Sequence, residues 1–84
     1  MQKTYFTFGT DPLYPYHIGD YVVVEAENVN DACLLFNMVH PPRHDDVVNC
    51  AFIYSERKFN EFRDKYYKDV EPAEIISISV QRRA

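Results

Sequence analysis

Alternation of apolar and polar side chains predicts two strands near the start of the chain. In residues 3–8 the even positions, including Phe6 and Phe8, share one side and the odd positions share the other. Residues 20–25 repeat this pattern, with Val22 and Val24 on one face. A period of two is typical of a strand. The two strands are therefore predicted to pair as an antiparallel hairpin.

The connection between these strands, residues 9–19, is long and irregular in composition. It contains two Gly, two Pro, one Asp and two Tyr, which are residue types that interrupt regular structure. Hairpin connections usually have about two to five residues. Because long connections in compact domains often carry function, we interpret this one as a candidate binding loop.

Helical spacing of apolar residues predicts two helices. Asn28 is a typical N-cap, and Pro41 with Pro42 must end the first helix because proline donates no backbone hydrogen bond. The apolar stripe of this helix consists of Val29, Ala32, Cys33, Leu35, Phe36 and Val39. Ser55 is a natural cap for a second helix that runs to about Tyr67. Its apolar face consists of Phe59, Phe62 and Tyr66.

Two further strands complete the predicted fold. Residues 47–54 are apolar enough for a central strand that begins near Asn49. Residues 74–80 alternate well, and residues 81–84 are expected to form a frayed tail. The inward positions of this last strand are Ile76, Ile78 and Val80.

The element order is therefore β-β-α-β-α-β in a single domain, residues 1–84. It predicts an α+β fold in which two helices lie on one face of a small, mainly antiparallel sheet of four strands.

Composition and charge limit the function classes. The chain has 84 residues, of which 46% are hydrophobic, and a net charge of −4, which is typical of a small globular domain. Its apolar runs are too short to span a bilayer, and its start lacks the apolar stretch of a secretory signal. Residues 1–42 carry the whole net charge of −4. This acidic half disfavours duplex nucleic acid as a partner and is compatible with a basic protein.

The two cysteines, Cys33 and Cys50, are too few for a disulfide framework and fit a reducing cytosol. A single disulfide between Cys33 and Cys50 remains an alternative. Together with His40 and His44 they could supply zinc ligands, but their spacings match no paired zinc-knuckle pattern. We predict no metal site and no cofactor.

Cysteine catalysis has weak support in the sequence. His44, followed by Asp45 and Asp46, could act as an oriented general base for Cys50. However, nothing places Cys50 at a helix N-terminus, where its thiol would be activated. We therefore predict no catalytic residue.

Two irregular segments favour recognition: the connection of residues 9–19 and the polar loop of residues 43–46 that follows the first helix. The predicted partner- or ligand-binding residues are Tyr14, Tyr16, His17, Arg43, His44, Asp45 and Asp46. If the two segments meet, their rings, guanidinium and acids could bind a protein or a small phosphorylated ligand. The alternative is that the tyrosines merely cover the edge of the sheet.

Two stretches of sequence carry a family resemblance. The opening Tyr5-Phe6-Thr7-Phe8-Gly9 is followed by Asn49-Cys50-Ala51-Phe52-Ile53-Tyr54-Ser55-Glu56. With these stretches, and over nearly its full length, the chain resembles the small "YFTFG" proteins encoded by phages and prophages of Firmicutes. Members of that family mostly have no assigned activity.

The resemblance implies a phage protein that acts in the cytoplasm of the bacterial host cell. Small phage proteins without enzyme signatures are often stoichiometric antagonists of host defence. The expected function is an anti-CRISPR-like inhibitor that contacts a host defence protein, such as a CRISPR effector. The alternative is a sponge that binds and sequesters a nucleotide immune signal. The oligomeric state stays open in both cases.

Overall fold

A computed structural model describes residues 1–43 and 47–77 of the chain. Its strands are β1 (Gln2–Thr7), β2 (Tyr21–Ala26), β3 (Phe52–Ser55) and β4 (Glu74–Ser77), and its helices are α1 (Val29–Val39) and α2 (Glu56–Tyr66). The predicted order β-β-α-β-α-β and the α+β class are confirmed. Within the described residues, no helix is long and apolar enough to cross a membrane.

The strands form one mixed sheet in the order β3-β1-β2-β4. β1 pairs antiparallel with both β2 and β3, while β4 pairs parallel with β2. The predicted hairpin is therefore confirmed, with Tyr5 opposite Val23 in β2 and Tyr54 in β3.

The prediction of a central strand in residues 47–54 is wrong. β3 begins only at Phe52 and lies at the edge of the sheet, where it pairs with β1. The apolar residues before it fold as an irregular connection, in which Val48 and Cys50 pack against the core beside α1. A connection that packs on the core is also rich in apolar residues. The apolar composition of residues 47–54 therefore did not distinguish a strand from such a connection.

The prediction that both helices lie on one face of the sheet is also wrong. α1 packs on the face that carries Phe6 and Val22, whereas α2 packs on the face that carries Tyr5 and Val23. The physical reason is that both faces of β1 and β2 are apolar. A sheet with two apolar faces must be covered on both sides.

Each face has its own aromatic core. On the α1 side, the rings of Phe6 and Phe36 are stacked with centroids 4.4 Å apart. On the α2 side, the ring of Phe59 is stacked on Tyr5 at 4.3 Å. Aromatic rings therefore contribute to the core on both faces of the sheet.

Local capping sets the ends of the helices as predicted. The Asn28 side chain accepts a hydrogen bond from the Asp31 backbone N–H at 2.9 Å, and the Ser55 hydroxyl accepts one from Lys58 at 3.2 Å. In the last strand, Ile76 is buried as predicted. Ile78, Val80 and the predicted tail, residues 81–84, lie outside the described residues.

The aromatic core on the α2 side gives a direct stability test. Phe59→Ala removes a fully buried ring and should lower the free energy of unfolding by about 3–5 kcal/mol. Phe52→Ala is the matched control because that ring is mostly exposed, and it should cost less than about 1 kcal/mol. Urea unfolding measures both; equal losses would contradict the assignment of the core.

Candidate recognition surface

The long connection between β1 and β2 is an ordered loop built from two side-chain-capped turns. Asp11 accepts the backbone N–H of Leu13 on its carboxylate at 2.9 Å. In the second turn, the Asp20 carboxylate accepts the N–H of His17 at 3.0 Å. Gly19 has φ +94°, a conformation that side chains disfavour. These local bonds shape the two turns within the loop.

Arg43 joins this loop to the segment that follows α1. Its Nη1 donates to the Asp11 carboxylate at 3.0 Å, and its Cζ lies 4.9 Å from the centre of the Tyr14 ring. The Leu13 N–H, followed by the Arg43 guanidinium, holds the pKa of Asp11 below its usual value. The two irregular segments therefore meet, and Arg43 is engaged in the contact.

A second contact, which we call the Glu74 brace, consists of Tyr16, His40 and Glu74. The Tyr16 hydroxyl donates to Glu74 Oε1 at 3.0 Å, and His40 Nε2 lies 2.6 Å from the same oxygen. The Tyr16 and His40 rings also meet edge to face, with centroids 5.6 Å apart. Because these residues come from the loop, the end of α1 and the start of β4, the brace ties three elements together.

The environment of Tyr16 favours its protonated hydroxyl. Partial burial, followed by the hydrogen bond to Glu74, raises the pKa of Tyr16 above its usual value. Its ring packs against Phe8 with centroids 5.6 Å apart. Tyr16 therefore acts as a support for the loop rather than as a free contact residue.

The structure gives different roles to the residues predicted as the site. Tyr14 and Tyr16 are half-buried against the core, and Arg43 is paired. His17 is open, with 94% of its side chain exposed. The predicted residues His44, Asp45 and Asp46 lie outside the described residues.

Other important residues were not predicted. Glu74 and His40 are far apart in sequence, so nothing in the local pattern linked them. Leu13 and Ile18 are 69% and 64% exposed on the loop. The sequence did indicate that Leu13 and Ile18 would be exposed, since apolar residues inside a Pro- and Gly-rich connection belong to no strand or helix that would bury them. We call Leu13, His17 and Ile18 the exposed loop residues.

Cys33 and Cys50 are not joined by a disulfide. Burial raises the pKa of the Cys33 thiol, which disfavours its reactive thiolate. Across residues 1–43 and 47–77, no group of three or more potential ligands stands close enough to hold a metal ion.

Two clefts lie on the α2 side of the sheet. One, of about 630 Å³, is lined by both acidic and basic side chains around Arg63, whose Nη2 donates to the Tyr5 hydroxyl at 3.3 Å. The other, of about 440 Å³, is an aromatic groove beside β3 that includes Phe52 and Tyr66. Basic and acidic groups are mixed in the first cleft, so it has no strong preference for an anion.

No protein-family model, curated protein or solved structure matches this chain. The resemblance to the phage-encoded "YFTFG" proteins therefore stays a prediction.

Removal of the Glu74 brace should loosen the loop. Glu74→Ala leaves the Tyr16 hydroxyl and His40 Nε2 without their shared acceptor, and we expect a loss of about 1–2 kcal/mol in unfolding free energy. Hydrogen exchange should accelerate in residues 9–19. Glu61→Ala is the matched control, since Glu61 makes an exposed pair with Lys58 and should cost less than about 0.5 kcal/mol. Unchanged exchange in the Glu74 variant would refute the brace.

Alkaline pH should destabilise the protein. Burial is the main cause that raises the pKa of Tyr16, Tyr21 and Tyr67. The folded state thus favours the neutral phenols more than the unfolded chain does. Their contribution is fully present below the unfolded pKa of about 10 and is lost as pH rises through the folded values.

Urea unfolding at successive pH values from about 9 to 11.5 measures this loss. The unfolding free energy should fall across the range, and Tyr16→Phe should make the fall less steep. Stability that does not change with pH in this range would contradict the assigned burial of these hydroxyls.

Proposed function

We propose that this chain is a non-catalytic binding module that inhibits a bacterial defence effector by direct, stoichiometric protein contact. The observation that carries the proposal is the braced loop, residues 9–19. Two independent contacts hold it, Arg43 on Asp11 and Tyr14, and the Glu74 brace. The exposed loop residues, Leu13, His17 and Ile18, nevertheless remain accessible to solvent.

A loop held in one shape is suited to binding. Association costs free energy when flexible segments must be ordered at an interface, and a preorganised loop has already lost that freedom. The bracing groups are all polar or aromatic, and all but the exposed Asp11 are half-buried, whereas Leu13 and Ile18 are apolar and open. Burial of an apolar side chain by a partner is favourable, and on a rigid support it needs little further ordering of the loop.

The charge distribution supports a basic protein partner. The first half of the chain carries the net charge of −4, and opposite charge speeds and orients association. Effectors that bind nucleic acid present basic surfaces. Together with the phage resemblance, this supports a CRISPR effector or a related defence protein as the target.

The nucleotide sponge has less support from the geometry. Arg43 is paired with Asp11 and lies over Tyr14. The cleft around Arg63 is lined by basic Lys3 and Lys68 but also by acidic Glu25 and Glu71, which would repel a phosphate. A thermal-shift screen with cyclic nucleotides serves as the test of this alternative, because a ligand that binds the folded state raises its melting temperature.

The proposal is tested by titrating the protein into a panel of purified CRISPR effector complexes and measuring target cleavage. We expect inhibition of at least one complex that saturates near an equimolar ratio. The double variant Leu13→Asp with Ile18→Asp should weaken inhibition about tenfold or more, since both substitutions remove apolar anchors. Ile75→Asp is the matched control, because Ile75 is similarly exposed, at 63%, but lies on β4.

Three outcomes would contradict the proposal. The first is inhibition at far below equimolar amounts, which would indicate an enzyme. The second is equal loss in the loop variant and the Ile75 control. The third is no inhibition in the panel together with unchanged phage plating on hosts that carry these defence systems. Urea midpoints of all variants verify that they fold.

A further inference from the structure

Helix α1 is apolar on its outer side as well as on its buried side. Ala32, Leu35 and Phe36 pack into the core, as an amphipathic helix requires. On the other side, Leu34 is 64% exposed and Met38 is 69% exposed. These two residues are four apart and therefore neighbours on the helix surface. The outer side of α1 thus presents two adjacent apolar anchors.

The charged side chains on α1 and just before it are acidic. α1 carries one acid, Asp31, and no Lys or Arg, and the exposed Glu27 stands just before it. By contrast, α2 covers the opposite face of the sheet and mixes basic with acidic residues, which are Glu56, Arg57, Lys58, Glu61, Arg63, Asp64 and Lys65. The apolar anchors Leu34 and Met38 are therefore accompanied by acids, and their own helix carries no basic side chain that would repel a basic partner.

The C-terminal end of α1 adjoins the braced loop. His40, the residue that caps α1, contacts Tyr16 of the loop edge to face and shares the Glu74 acceptor with it. Just beyond, Arg43 is paired with Asp11 of the loop. A partner that covers the loop would thus meet the C-terminal end of α1.

We propose that α1 docks, through Leu34 and Met38, onto an apolar surface of the partner protein that is bordered by Lys and Arg side chains. This inference deepens the proposed function, on which it rests, by naming the chemistry of the partner. Met is an adaptable anchor for such a surface. Asp31 and Glu27 would face the basic border, which makes the charges complementary, while the apolar side of an amphipathic helix enters the groove.

The test uses a defined probe in place of the unidentified partner. It is a fluorescein-labelled amphipathic helical peptide of about 18 residues, five turns, with a Leu stripe flanked by Lys. Its counterpart has Glu in place of Lys. Fluorescence polarisation at physiological salt should show that the full chain binds the Leu/Lys peptide at least about tenfold more tightly than the Leu/Glu peptide.

Two variants test whether the peptide binds to α1. Leu34→Gln with Met38→Gln keeps the net charge and should weaken Leu/Lys binding about tenfold or more. Ile75→Gln, which removes an equally exposed apolar residue from β4, should leave binding unchanged. Urea midpoints of both variants should match that of the parent chain, because the altered side chains are exposed.

The outcomes separate this inference from the proposed function. Equal binding of the two peptides, or full binding by the Leu34/Met38 variant, would overturn the docking surface even if the chain inhibits an effector. Specific peptide binding by a chain that inhibits no effector would retain the docking surface and refute only the inhibitory role.

Discussion

The two central strands, β1 and β2, are apolar on both of their faces, and the rest of the architecture follows from this constraint. Phe6 and Val22 point to one side, while Tyr5, Tyr21 and Val23 point to the other. Neither side can be left in water at this chain length, because a small domain has little other apolar area to bury. One helix must therefore cover each face, and the chain crosses from one side of the sheet to the other between α1 and α2.

The placement of the helices also determines the surface chemistry. If both helices shared one face, the exposed apolar residues of α1 would lie beside the mixed basic and acidic side chains of α2. On opposite faces, α1 presents exposed apolar residues and a single acid, whereas α2 presents charges of both signs. The β1–β2 loop is held on the side of α1 by the Glu74 brace. A rigid loop and an apolar, acidic helix consequently lie next to each other, which is the basis of the recognition that we propose.

Local signals in the sequence were sufficient for most of the elements. Asn28 and Ser55 cap the helices as expected, and Pro41 follows the end of α1, because capping and proline act over only a few residues. The edge position of β3 could not be derived in the same way. The apolar run in residues 47–54 is compatible with a strand and with a connection that packs on the core. Only the pairing with β1 shows which of these residues form the strand.

The sequence by itself determined the order of the elements, the place of the long β1–β2 connection and the acidic character of the first half, because these depend on neighbouring residues and on summed charge. Only the tertiary structure decided that the helices lie on opposite faces and that Tyr16, His40 and Glu74 share one oxygen. The tertiary structure also shows that Tyr14 and Tyr16 support the loop and that Leu13, Leu34 and Met38 are exposed. The physical reason is that burial and long-range hydrogen bonds depend on which surfaces meet, and residues 34 or 58 positions apart carry no local signal of their contact.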